Sequence, residues 1–378
     1  MKQLQSDSST TRNRRSFLKR GLAAGSTVTL GAAVLADSVS AFAREEQGGS
    51  LQKGDAAILR FLAAAEIVES DLWQQYNELG GIQDSEVPGG SGNPEYTAAL
   101  KNLDGDMDQY IHDNTDDEFS HWFFINAYLE SKGAEAVDLD RFRILPSSKA
   151  TGAQQIGRLT NLMHLTVDTS WYTRYRSAHN PDLEPGFSFP QAVPGLAKGQ
   201  HPAIPRNDSD LMPQDHIQAI ANTAGFHFAF IEQGGTSLYP SLAQRVTDGE
   251  VLQILLSIGP TETAHFQTWH DKAGNGVNGS ILPSPLIDPN DPTLVFPNLN
   301  TNPGGPLFQT NLIMPEPCSF LSRKFPRCSI IRPTQTNGAA MGAAKALTAD
   351  GLFIGQSKDF FELVLDLAAD ADRAKRES

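Results

Sequence analysis

VLQILLSIGPTETAHFQTW, residues 251–269, places Val251, Leu255, Ile258, Glu262, His265 and Trp269 at alternating steps of four and three. That spacing predicts one stripe on an α-helix. Glu262 and His265 interrupt an otherwise apolar face. Three residues turn a helix through about 300°, so the two side chains share a face one turn apart. A carboxylate and an imidazole so placed can hold one metal ion together. Asp248 is a suitable cap, and the helix is expected over residues 248–272. Pro260 predicts a kink or a restart just before Glu262, because an interior proline removes a hydrogen bond and clashes with the preceding turn.

The same pair occurs earlier as Glu118-x-x-His121, inside a predicted helix over residues 95–132. A break near Asp113-Asn114-Thr115 is expected there. Ile125 and Tyr128 continue its stripe, and Gly133 is a suitable stop. Two such pairs alone would carry little weight, since Glu and His on helices usually form a solvated face. Their position on apolar stripes is what matters.

Two more predicted helices carry inward acids. Residues 55–79 form one, with Asp55 as a candidate cap and Gly80-Gly81 as the stop. Leu62, Glu66, Glu69, Trp73 and Tyr76 share its stripe. Residues 213–233 form another, with Ile217, Ala221, Ala224, Phe228 and Glu232 inward, and Gly234-Gly235 and Pro240 predict an end or bend just after Glu232. Residues 152–177 also read as helix. Residues 179–213, with seven prolines, read as a long irregular connection, expected to be functional or to cover something.

In chain order the inward acids are Glu66, Glu118 with His121, Glu232, and Glu262 with His265. One set per helix, with a long connection between the second and third helices, resembles the ferritin-like superfamily, in particular exported bacterial ferritin-like proteins related to desiccation-associated proteins. The resemblance covers residues 55–272. It implies an all-α, four-helix bundle holding two metal ions, iron first and manganese second. Carried onto this chain, Glu118 and Glu262 would bridge the ions. Glu66 with His121 and Glu232 with His265 would fill the terminal positions. Glu69 competes with Glu66 for the first-helix role. Trp73, seven residues after Glu66, stands where many such helices carry Tyr and offers no hydroxyl. Four carboxylates would balance two divalent ions, and carboxylate with imidazole suits iron and manganese. The implied chemistry is ferroxidase, peroxide removal in the manner of manganese catalase, or oxidation of a substrate. A metal-free bundle with a binding or structural role is the competing expectation.

The termini extend this picture. Asn13-Arg14-Arg15-Ser16-Phe17-Leu18-Lys19 resembles a twin-arginine export signal. An apolar stretch follows over residues 21–36, then Ala41-Phe42-Ala43 as a cleavage site. Residues 1–43 are therefore expected to be removed, with 44–54 as a linker and a periplasmic or secreted destination. Removal takes away six basic and two acidic residues, moving the formal net charge from −14 to −18. Such a surface repels nucleic acid and anionic membranes. No internal segment is apolar for long enough to span a bilayer. Residues 273–378 read as a Pro/Asn/Gly-rich arm over the bundle, ending in two short helices. Cys318 and Cys328 are candidates for a disulfide in an oxidising compartment.

Overall fold

The computed structural model describes residues 50–176, 188–278, 285–299, 315–316, 321–329 and 337–377. Four long helices make the bundle: α1 (Lys53–Gly80), α3 (Met107–Ser131), α5 (Gln214–Ala243) and α6 (Gly249–Asn275). A short α2 (Pro94–Lys101) precedes α3, and α4 (Ser170–Arg176) lies in the long crossover. The closest pairings are α1 with α3 and α5 with α6. These are the two sequential hairpins that the crossover joins. Among the described residues, no helix is long and apolar enough to cross a membrane.

Local chemistry sets the helix ends. Asp248 caps α6 by accepting from the backbone N–H groups of Glu250 and Val251 at 2.7 and 3.2 Å. Gly133 closes α3 at φ 72°, the left-handed conformation that a C-terminal glycine tolerates. Asp55 does not cap its own helix. Its buried carboxylate accepts from the N–H groups of Thr247 and Asp248 at 3.0 and 2.7 Å, tying α1 to the turn between α5 and α6.

Three expected breaks are absent. α6 runs through Pro260, whose ring lies on the exposed face. Leu256, whose carbonyl loses its partner, is exposed as well, so water can satisfy it. α5 runs through Gly234, Gly235 and Pro240. α3 is continuous through Asn114, and the break falls earlier, between α2 and α3. Asn114 is not a stop because its side chain is buried and bonded inside the bundle.

The helix expected over 152–177 is not formed, apart from α4. The apolar residues Leu159, Leu162, Leu165 and Val167 are buried, but in an extended chain laid over the bundle. Buried Asp71 holds that chain by accepting from the N–H groups of Leu159 and Thr160 at 3.0 and 2.9 Å. Single bridges from Leu145 to Arg158 and from Leu165 to His201 complete it. Helical spacing here reflects burial without helix.

Beyond α6, β1 (Leu286–Asp288) and β2 (Asp291–Phe296) pair antiparallel, with Leu286 opposite Phe296. Leu286, Leu294 and Phe296 are buried. Buried His216 on α5 pins the hairpin, its Nδ1 lying 2.7 Å from Asp288 Oδ1. A second short pair, β3 (Pro315–Glu316) with β4 (Cys328–Ser329), follows. Cys328 is exposed. Cys318, and so its expected pairing, lies outside the described residues, as does the expected export signal.

The two terminal helices are α7 (Ala339–Ala349) and α8 (Lys358–Arg373). They are part of the bundle's core rather than an outlying arm: α8 packs on α1 and α7 on α5. Asp350, just after α7, lies buried 2.9 Å from His227 Nε2 of α5, and His227 Nδ1 lies 2.7 Å from the Tyr76 hydroxyl of α1. Asp350, His227 and Tyr76 thus link three helices.

Candidate metal centre

All six acids and histidines singled out in the sequence meet inside the four-helix bundle. Glu66 comes from α1, Glu118 and His121 from α3, Glu232 from α5, and Glu262 and His265 from α6. None is more than 9 % exposed, and Glu118, Glu232 and Glu262 are fully buried.

The six form two overlapping groups. Glu66, Glu118, His121 and Glu262 make one, and Glu118, Glu232, Glu262 and His265 the other. In each group the donor atoms lie within 4.8 Å of one another. Glu118 and Glu262 belong to both. His121 Nδ1 sits 3.2–3.3 Å from Glu66, Glu118 and Glu262, and His265 Nδ1 sits 3.1 Å from Glu118 and 3.3 Å from Glu232. The two imidazoles face each other across the carboxylates, with ring centroids 6.3 Å apart.

Several of these atoms have neighbours but no hydrogen bonds. Glu232 Oε2, both carboxylate oxygens of Glu262 and His265 Nδ1 are buried with no hydrogen-bond partner. Buried polar atoms are rarely left so. Ionised carboxylates buried without compensation cost several kcal/mol each. His121 Nδ1 is the one imidazole atom hydrogen-bonded within the groups, to Glu66 and Glu118. Four carboxylates crowded round so few hydrogens are the arrangement a pair of cations would complete. The donor set, four carboxylates and two imidazoles, suits iron or manganese.

Protons partly compensate when no cation does. Burial raises the Glu66 carboxyl to about 7, although His121 opposes the shift. Burial likewise raises Glu232 to about 8 against the pull of His265. For His121, burial works against protonation, but the Glu118 and Glu66 carboxylates outweigh it and push the imidazole well above its ordinary range. For His265, Glu232 and its neighbours do the same.

A surrounding layer of residues orients these groups. Asn114 donates to Glu118 Oε1 at 2.9 Å and to Glu232 Oε1 at 3.0 Å, and it accepts from the Trp269 indole at 2.6 Å. Trp269 stacks on Trp73, with centroids 5.1 Å apart. Asp117 Oδ2 lies 3.1 Å from His265 Nε2, which turns Nδ1 towards the carboxylates. The Tyr239 hydroxyl donates to Glu66 Oε1. Sequence reading missed Asn114, Asp117 and Tyr239 in these roles. Their signals were present: Asn114 is four residues before Glu118, and Tyr239 is seven after Glu232, each on the same helix face. The hydroxyl that Trp73 does not offer thus comes from another helix.

Glu69, the rival of Glu66, is in neither donor group. Its Oε1 is nevertheless buried with no hydrogen-bond partner. Burial, and then the charges of Glu118, Glu232, Glu262 and Glu66, raise its carboxyl well above the usual range.

No curated protein and no solved structure matches the chain. A family model does: that of the ferritin-like domain, over residues 54–274, more than half of the chain. The match spans the four bundle helices and the crossover, and stops where α6 ends. The chain belongs to the ferritin-like domain family.

Proposed function

We propose that the protein is an exported ferritin-like protein with a di-metal carboxylate centre, holding iron or, as the second choice, manganese. Glu66, Glu118, His121, Glu232, Glu262 and His265 would hold the two ions. The observation that carries this reading is the sharing of Glu118 and Glu262 between two buried donor groups, with three carboxylate oxygens and one imidazole nitrogen making no hydrogen bond. A bundle evolved only for packing has no reason to bury four acids on facing stripes.

Such a pair of ions, when bound, supplies reaction with dioxygen or peroxide. The chain's own residues define the rest. Asn114 and Asp117 orient the carboxylates and the His265 ring. Glu66 and Glu232 release their protons when a cation takes their place, and Tyr239 keeps a hydroxyl against Glu66. Burial excludes bulk water from the site. Protection against oxidative or desiccation stress is the role that fits this chemistry. Export by the twin-arginine route fits as well, because that route carries folded proteins; it rests on Arg14-Arg15 and the Ala41-Phe42-Ala43 cleavage site.

The test is elemental analysis of the protein recovered from the periplasm, beside a Glu118→Ala, Glu262→Ala double variant. About two iron or manganese per chain are expected in the wild type, and far fewer in the variant. Equal and negligible metal in both, with both folded, would remove the metal reading and leave a metal-free bundle. Retention of an Arg14→Lys, Arg15→Lys variant in the cytoplasm is the expected mark of the export route.

A further inference from the structure

A cavity of about 120 Å³ lies against the carboxylate cluster, between α1 and α5 on one side and α7 and α8 on the other. Glu66 and Gly235 belong to its wall and also touch the cluster: Glu66 is in one donor group, and Gly235 packs against Glu262. The rest of the wall is overwhelmingly apolar. Leu72, Leu238, Leu347, Phe353 and Val364 supply its bulk. Small residues on every side keep it open, among them Ala64, Ala65, Gly234, Ala343 and Ala344. Interiors rarely hold voids larger than a water molecule, so a space this size lined by so many small side chains has been kept rather than left over.

The polar groups in the wall are few. Beside Glu66 stand Glu69, Gln233 and Tyr239. Tyr239 is engaged with Glu66, and Gln233 with Ser237. Glu69 Oε1 is buried with no hydrogen-bond partner. Glu69 is thus a free acceptor, or a donor when protonated, set in an apolar wall next to the metal centre. Binding pockets for small molecules have this composition: a mainly apolar lining with a few placed polar groups.

We infer that this cavity is the substrate pocket of the centre, taking a small apolar organic molecule whose polar group meets Glu69 and Glu66. Its volume admits an alkyl or aryl body of up to roughly six non-hydrogen atoms, since a dry cavity of about 150 Å³ accommodates benzene. Two of its walls come from residues beyond the matched ferritin-like domain, namely α7, Phe353 and α8. That assigns the C-terminal helices a purpose: they build the pocket that the four bundle helices alone leave open. The inference deepens the di-metal reading, and binding to the pocket does not depend on it.

Benzene is the probe. Its binding to the full, metal-free chain is measured by ligand-observed NMR, for the wild type and for Ala64→Phe, Ala344→Phe and Leu347→Ala. The wild type is expected to bind benzene, and either Phe variant to weaken binding at least tenfold. Leu347→Ala, which enlarges the space, should admit propylbenzene better than the wild type does. After loading with manganese(II), the protons of bound benzene should relax faster, and the blocked variants should lose that enhancement while keeping their metal. No benzene binding to the folded wild type, or equal binding by the wild type and both folded Phe variants, overturns the pocket. Benzene binding in a protein that takes up no metal would keep the pocket and sink only the di-metal reading.

Discussion

A Cβ placed on Gly235 would lie 2.4 Å from Glu262 Oε2. The glycine in α5 therefore makes room for a carboxylate from α6 that belongs to both donor groups. At the next position, Thr236 Oγ1 donates to the Glu262 backbone carbonyl at 3.3 Å. Farther along the same interface, a Cβ on Gly259 would meet Tyr239 Cβ at 2.8 Å. The two helices are close enough there that glycine is needed on each.

Gly235→Ala follows directly. Helix propensity alone would stabilise α5 by up to about 1 kcal/mol. The contact with Glu262 decides the sign instead, because the carboxylate must move. Metal affinity is expected to fall on the order of 10- to 100-fold, the usual effect of disturbing a ligand's support. Gly234→Ala is the control: its Cβ would meet nothing within 4 Å. It should stabilise the fold slightly and leave metal content unchanged. Equal metal binding by the two variants would refute the role given to Gly235.

Asn114 tests the layer around the ligands. Asn114→Ala removes the donor to Glu118 and Glu232 and leaves the Trp269 indole N–H without its acceptor. A buried group left unpaired costs about 1–3 kcal/mol. The variant should unfold at lower urea concentration by about that amount and bind metal more weakly. Asn114→Asp keeps the acceptor for Trp269 but adds a negative charge beside two carboxylates, so it should lower stability further in the metal-free protein. Urea titrations of the three proteins, with and without manganese, measure both effects.

The metal-free protein should lose stability as pH rises. An ordinary glutamate titrates near 4.5, whereas Glu66 is raised to about 7 and Glu232 to about 8 in the folded chain, chiefly by burial. Between pH 4.5 and 8 the folded state therefore holds protons that the unfolded state has released. Stability from these groups is full below pH 4.5 and declines through pH 8. The raised histidines add the same sign from about pH 6.5 upward. Metal affinity should run the other way, rising with pH as the competing protons leave. Urea midpoints at pH 5.5 and pH 8.5 check this, and the Glu66→Gln, Glu232→Gln variant should show a flatter dependence. A metal-free wild type that is more stable at pH 8.5 would contradict it.

The sequence made the bundle and its six inward groups legible because burial and helical period act together there. Glu118 and His121, or Glu262 and His265, can share an apolar stripe only if the helix faces inward. Where the reading failed, local rules met a tertiary context that overrode them. Gly234-Gly235 and Pro240 are helix breakers in isolation, but α5 passes through them because Gly235 is needed against Glu262 and the helix is packed on α6 along its length. Pro260 is tolerated because it lies on the solvent side. Residues 159–167 show the opposite error. Their spacing is helical, but Asp71, a distant buried acceptor, takes the Leu159 and Thr160 N–H groups out of any local helix. Tyr239 was overlooked because its helix was expected to end before it.

Asp350 measures how far the terminal helices belong to the bundle. Its carboxylate and the His227 ring are both completely buried, 2.9 Å apart, and His227 is bonded in turn to Tyr76. Asp350→Ala would leave His227 Nε2 without that partner in a closed core. Removing one member of a buried ionic or strongly polar pair costs about 3–5 kcal/mol. Asp350→Asn retains an acceptor at the same place and should cost less. If α7 and α8 were a detachable arm, Asp350→Ala would leave the urea midpoint of the bundle unchanged and only free the last forty or so residues to proteolysis. If they close the bundle, global stability falls and all probes of unfolding move together. The linkage of α1, α5 and the segment after α7 through one tyrosine, one histidine and one aspartate requires the second result.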